Sequence, residues 1–205
     1  MQMIEKVFKK ISIRGRVAFG ICCLENAMEK YKVSGQGWNL LLEKLWSFTS
    51  LPAIFIPTDL GGIEFVLEKW ADINDFMPYS KFFQAPYTYV DLCEYLMLYN
   101  KKIIDEKEYD LLREAYRDTN DIITRICFFI VDIGMCELWS TPDGYSATTL
   151  EKLQELIDFV TKNNLPLPDI ELFKQYEYDP KEIDDDSRGW GYSFDGKQYS
   201  KFLNM

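Results

Sequence analysis

The chain has 205 residues, with 33 Asp plus Glu against 23 Lys plus Arg and no histidine, for a formal charge of −10. Without imidazole there is no Ser-His-Asp triad, no Cys-His dyad and no His-ligated zinc. The acidic balance also argues against a phosphate-tracking surface, and so against a nucleic-acid partner. At 47 % apolar and 16 % aromatic residues, a chain of this length buries about 70 % of the surface its unfolded form exposes and fits one domain.

The periodicity is helical. From Ile13 to Lys32, Val17, Ile21, Leu24, Ala27, Met28 and Tyr31 recur at three- and four-residue steps and so share one face. Ser34-Gly35 punctuates the chain, and a second helix is predicted from Gly37 to Thr49 with Leu41, Leu45 and Phe48 inward and Trp38 and Trp46 flanking. Pro52 and Pro57 mark a break, Thr58-Asp59 supplies an N-cap for a helix to Trp70, and the Phe- and Tyr-rich stretch 72–86 reads as a packed loop. Tyr89, Leu92, Cys93, Leu96 and Tyr99 form the next stripe. Asp105 and Glu108 suggest a capping box for a helix carrying Leu111, Leu112, Ala115 and Tyr116. Thr119-Asn120-Asp121 is either a turn or a polar patch in one long helix reaching Trp139. The segment Ile122 to Leu138 is apolar on nearly every side, which predicts the central and most buried helix. Thr141-Pro142-Asp143-Gly144 is a turn, Ser146 or Thr148 caps an amphipathic helix through Thr161, and Asp169 caps a short helix through Tyr176. Strand-like alternation is scarce. The expected fold is all-α, a single-domain bundle of about seven or eight helices.

From Glu177 onward the composition shifts. The eleven residues Tyr176 to Asp186 hold six acids and one Lys, and Arg188-Gly189-Trp190-Gly191-Tyr192-Ser193-Phe194 follows. The chain therefore divides into a helical domain, 1–176, and an acidic, Gly/aromatic tail, 177–205, that packs on it or extends from it. Trp190, Tyr192 and Phe194 order that tail where they find pockets. The cysteine number is odd and no C-x-x-C occurs. Cys22, Cys93, Cys127 and Cys136 lie in apolar, helix-patterned runs, which predicts buried free thiols in a reducing compartment. The N-terminus has no signal-like apolar region, and the longest apolar run, Ile126–Val131, is far too short to span a membrane. The expected location is cytoplasmic, with no membrane contact.

Three constellations carry candidate chemistry. Asp184, Asp185 and Asp186 with Asp179 and Glu182 offer oxygen ligands, but laid on an EF-hand loop Arg188 falls at the fifth position and Asp195 replaces the bidentate Glu, so no metal or other cofactor is expected. The same acids with Glu177 suit a docking surface for a basic partner, since concentrated charge of one sign speeds encounter with its opposite. Glu25 and Glu29 lie four apart on one helix, and Asp132 and Glu137 punctuate the most apolar helix. A buried carboxylate of this kind can act as acid or base. Di-metal carboxylate bundles pair such acids with histidine, however, and the expectation for Asp132 is solvent or an arginine such as Arg14, Arg16 or Arg125. Lys6, Lys9, Lys10, Arg14 and Arg16 against Glu5 form a local positive face that neutralises part of the acidic remainder.

The run Arg16-Val17-Ala18-Phe19-Gly20-Ile21-Cys22-Cys23-Leu24-Glu25, with Gly189-Trp190-Gly191-Tyr192-Ser193-Phe194-Asp195-Gly196 and Tyr199-Ser200-Lys201 near the end, on an acidic helical body, resembles the all-α immunity proteins of bacterial polymorphic-toxin systems. The Ala-Phe-Gly-x-Cys-x-x-Glu run is also similar to an uncharacterised family of helical bacterial proteins. The first resemblance implies a non-catalytic cytoplasmic protein that neutralises one cognate toxin domain, often a nuclease, by direct binding. On that reading Glu177, Asp179, Glu182, Asp184, Asp185 and Asp186 steer the partner, while Trp190, Tyr192 and Phe194 anchor the tail or touch the partner. The competing readings are a helical regulatory or scaffolding module with another protein partner, and a carboxylate-based enzyme using Mg²⁺ or Mn²⁺.

Overall fold

A computed structural model describes residues 6–50, 106–117, 119–136, 145–179, 181 and 190–204. Among these the chain is all-α: α1 (Ile13–Tyr31), α2 (Gln36–Ser50), α3 (Glu106–Arg117), α4 (Asp121–Met135) and α5 (Ala147–Lys162), followed by two 3₁₀ segments, η1 (Ile170–Tyr176) and η2 (Gly196–Tyr199). The helix expected over 58–70, the loop over 72–86 and the stripe over 89–99 lie outside the described residues. One antiparallel bridge, Ile11 to Glu177, is the extended pairing the described residues contain.

Local chemistry sets the ends. Ser12 caps α1 by accepting from the Gly15 N–H, and α1 closes at Lys32, whose φ of 56° is left-handed. Asn120 accepts from the Ile122 N–H and starts α4, so Thr119-Asn120-Asp121 is a helix break. Ser146, not Thr148, caps α5 by accepting from Thr149 N–H. Asp169 caps η1 through the Glu171 N–H.

The expected ranking of burial is corrected. α1, not α4, is the central helix: Ile13 to Ile21 and Cys23 to Met28 are all buried, and α4, α2, α5 and η1 pack around it. α4 keeps half-buried positions, Ile122, Phe128 and Val131 among them. Hydropathy alone misjudges this because α1 is packed by small residues and by charged ones whose charges are satisfied internally. Gly20, for example, sits against Ile130 of α4 and Leu156 of α5. Burial of about a dozen aliphatic and aromatic side chains on α1 and its partners dominates the stabilisation, at roughly 1.5–3 kcal/mol for each large one. An aromatic row leads outward from α1: Phe8 to Phe19 at 4.8 Å between centroids, Phe19 to Phe173 at 5.4 Å, and Phe173 to Tyr199 at 6.1 Å. It ties the N-terminal approach, α1, η1 and the C-terminal segment into one core.

Candidate functional site

α1 carries three buried charged side chains. Arg14, 1 % exposed, donates from Nε to the Gly191 carbonyl at 3.0 Å and from an Nη to the Phe48 carbonyl at 2.8 Å. Its guanidinium also lies over the Phe48 ring, which meets Trp190 edge-on at 5.8 Å. Burial lowers the Arg14 pKa to about 10. Arg16, 0 % exposed, donates to the carbonyls of Phe8, Lys9, Tyr145 and Ser146 and to Thr149 Oγ1. It therefore joins the approach to α1 with the start of α5. These two arginines were expected on a positive surface. They leave that face because the planar fork can reach several backbone carbonyls at once and so join segments distant in sequence. Lys6, Lys9 and Lys10 remain exposed.

Glu25, 1 % exposed, accepts from Trp46 Nε1 at 3.0 Å and Ser200 Oγ at 2.6 Å, and from the Lys201 backbone N–H at 2.7 Å. Glu29, one turn on, is exposed and pairs with Lys201 Nζ at 2.8 Å. The two acids thus have separate surroundings: Glu25 anchors residues 200–201 and Glu29 meets solvent. Asp132 is half-buried on α4 and Glu137 lies outside the described residues. Arg125, offered as a partner for Asp132, is exposed and lies over the Phe129 ring.

The cysteines depart from expectation in detail. Cys23 and Cys127 are buried, Cys22 and Cys136 are half-buried, all four are free thiols, and Cys93 is outside the described residues. Burial and then the charge of Glu25 push the Cys22 thiol up to about 12, and burial pushes Cys23 well above its ordinary value. Both are held as inert thiols.

The residues expected to contact a partner separate into three groups. Glu182, Asp184, Asp185 and Asp186 lie outside the described residues. Trp190 is 4 % exposed, so its ring anchors the C-terminal segment. Phe194 is half-buried and stacks on Tyr176 at 3.7 Å. Burial, then the hydrogen bond shared with the Tyr199 hydroxyl, raises the Tyr176 pKa. Glu177 and Asp179 are exposed, and Tyr192 is 62 % exposed.

The fold brings the exposed members to one place. The Tyr176 carbonyl accepts from Ser12 N–H at 2.9 Å and Tyr178 N–H donates to the Lys10 carbonyl at 3.0 Å, so 176–178 runs along the approach to α1. On the other side the Trp190 carbonyl accepts from Arg14 N–H at 3.2 Å. Gly191, at φ +84°, turns there so close to Ser12 that a Cβ would stand 2.6 Å from its Oγ. Glu177 and Asp179 thus border the segment carrying Tyr192, with Lys10 beside them. Composition shows these as an acidic run followed by aromatics. It gives no sign that Ser12 would lie between the two. Among the described residues no group of three Cys, Asp or Glu is arranged to hold a metal ion, and no helix is long and apolar enough to cross a membrane. Comparison with protein-family models, curated proteins and solved structures finds no match to this chain.

Proposed function

We propose that this chain is a non-catalytic binding protein that neutralises a basic toxin domain by direct contact, as its resemblance to all-α immunity proteins implies. The observation that carries the reading is that Glu177 and Asp179 are exposed on the segment that runs along residues 10–12, and Tyr192 is exposed just past Gly191, which lies against Ser12. Acids that steer and an aromatic side chain that can be buried on contact are what a basic protein partner requires. The internal charges support it, since Arg14, Arg16 and Glu25 spend their hydrogen bonds on holding α1, α2, α5 and the C-terminal segment together.

Capture of the tagged protein's partner from the native host, at low and at high salt, with identification by mass, tests it. The expected result is one stoichiometric basic protein, released by salt, whose toxicity co-expression of this chain suppresses. Failure to find such a partner, together with metal-dependent thermal stabilisation of the chain, would favour a carboxylate enzyme instead.

A further inference from the structure

We propose that residues 190–204 form a strap that opens and closes as one unit over the groove between α1 and α2, latched by the buried Glu25 carboxylate, while the helical body stays folded. Polar attachments hold the strap along its length, the Tyr199 hydroxyl's bonds to Tyr176 and Gln175 of η1 among them. Arg14 binds the Trp190 and Gly191 carbonyls. The Phe194 N–H donates to the Thr49 carbonyl at 2.9 Å, and the Gly196 N–H to Thr49 Oγ1 at 3.1 Å. Ser200 Oγ and Lys201 N–H close on Glu25, and Lys201 Nζ binds Asn26 Oδ1 at 2.9 Å and Glu29.

These attachments are polar and directional, and apolar side chains join them: Trp190 meets Phe48, Phe194 stacks on Tyr176, and Tyr199, Phe202 and Leu203 pack against the core. Within the strap Trp190 is the apolar side chain that is fully buried; Phe194, Tyr199, Phe202 and Leu203 are half-buried. The strap's own regular structure is the single 3₁₀ turn η2, of four residues. Apart from the turn bonds that Ser200 and Asn204 make within it, its conformation follows α1, α2 and η1, and we take its pieces to be ordered together. α5, by contrast, buries Leu153, Leu156, Ile157 and Val160 against the body. A terminal segment with one fully buried apolar side chain, little regular structure and many side-chain bonds belongs to the low-stability end of a fold and opens below the free energy of global unfolding. The fit along the groove is close: a Cβ at Gly196 would meet Trp46 Cε3 at 2.6 Å. That closeness permits one register, so the strap closes into a single state. Tyr192 rides on this strap, and if the proposed binding surface is correct, closure of the strap is what assembles it.

Native-state hydrogen exchange on the full chain tests the strap without any partner. The expected result is one common opening rate for the amides of Phe194, Gly196 and Lys201, faster than for α4 and α5, with one shared denaturant dependence weaker than that of global unfolding. Glu25→Gln turns an amide NH₂ toward either the Lys201 N–H or the Trp46 Nε1–H, according to which oxygen it replaces, and should speed all three together by about tenfold or more while α5 protection holds. Ser200→Ala, which keeps the carboxylate, should act in the same direction to a smaller degree. The proposal is overturned if the strap amides exchange only with global unfolding, or if the variants speed Lys201 alone. The wild-type rates decide by themselves should a variant fail to fold.

Discussion

Replacing Arg16 measures how much of this fold hangs on one buried guanidinium. Three of its five acceptors, the Phe8 and Ser146 carbonyls and Thr149 Oγ1, are fully buried; the Lys9 and Tyr145 carbonyls are reached by solvent in part. Charge-assisted hydrogen bonds contribute about 1.5–3 kcal/mol each, while the Phe8 and Ser146 carbonyls also accept from the Ile11 and Leu150 N–H groups and Thr149 Oγ1 also bonds Ser146, so the buried acceptors keep other partners. Arg16→Lys keeps the charge and three donors but loses the fork, so at best it serves the buried acceptors and leaves the other two to water. Its cost should be about 2–3 kcal/mol. Arg16→Met removes every Arg16 donor, and relief from burying a charge offsets part of the loss while the Phe8 and Ser146 carbonyls keep their backbone N–H partners. Its cost should be about 3–4 kcal/mol. For a chain of this size each kcal/mol lowers Tm by about 2–4 °C. Urea unfolding followed by far-UV circular dichroism, checked for two-state behaviour, reads both values. Arg16→Met within about 1 kcal/mol of wild type would refute the role assigned to this side chain.

Three further outcomes follow from the geometry. Gly37→Ala would ordinarily stabilise a helix interior by about 1 kcal/mol, but its Cβ would press on the Leu111 carbonyl and stand 2.8 Å from Ala115 Cβ. The same urea titration should therefore show destabilisation of about 2 kcal/mol or more, by overpacking between α2 and α3. Gly191→Ala adds left-handed strain and a clash with Ser12, and limited proteolysis should then cut within 190–204 sooner than in wild type, with the helices intact. Alkaline pH should also weaken the fold. Cys23 is held protonated well above 9.0 in the folded chain and ionises near there when unfolded. The folded state therefore binds more protons, and stability falls by up to about 1 kcal/mol per pH unit above pH 9. Arg14, lowered to about 10, contributes with the opposite sign only above that value. Urea midpoints at pH 8 and pH 10 that do not fall would contradict this ordering.

The elements whose signals are local were legible. Periodicity placed α1 and α5 to within a residue or two, and the Ser146 and Asp169 caps are read from a short polar side chain ahead of an apolar stripe. Of the inner face that spacing gives α5, Leu153, Leu156, Ile157 and Val160 are buried and Leu150, in its first turn, is half-buried. What was not legible depends on partners distant in sequence. Arg16 reaches oxygens some 130 residues away, and Glu25 is held by Ser200, 175 residues on. Charge pattern alone assigned both to other roles, a positive face and an acid pair. The small residues Gly15, Ala18, Gly20 and Ala27 along α1 were the available signal that this helix is approached closely on every side. For the candidate surface, the acidic run and the aromatics were visible as composition, whereas the burial of Trp190 and the exposure of Tyr192 depend on which way Gly191 turns.

Steering by Glu177 and Asp179 is tested most directly by stopped-flow association of this chain with its captured partner across a salt series, for wild type and for the Glu177→Lys, Asp179→Lys double variant. Wild type should associate fast at low salt and slow by about tenfold or more as salt rises, while the variant should be slow throughout and nearly flat. Equal rates and equal salt slopes for the two proteins would show that the partner does not approach this surface.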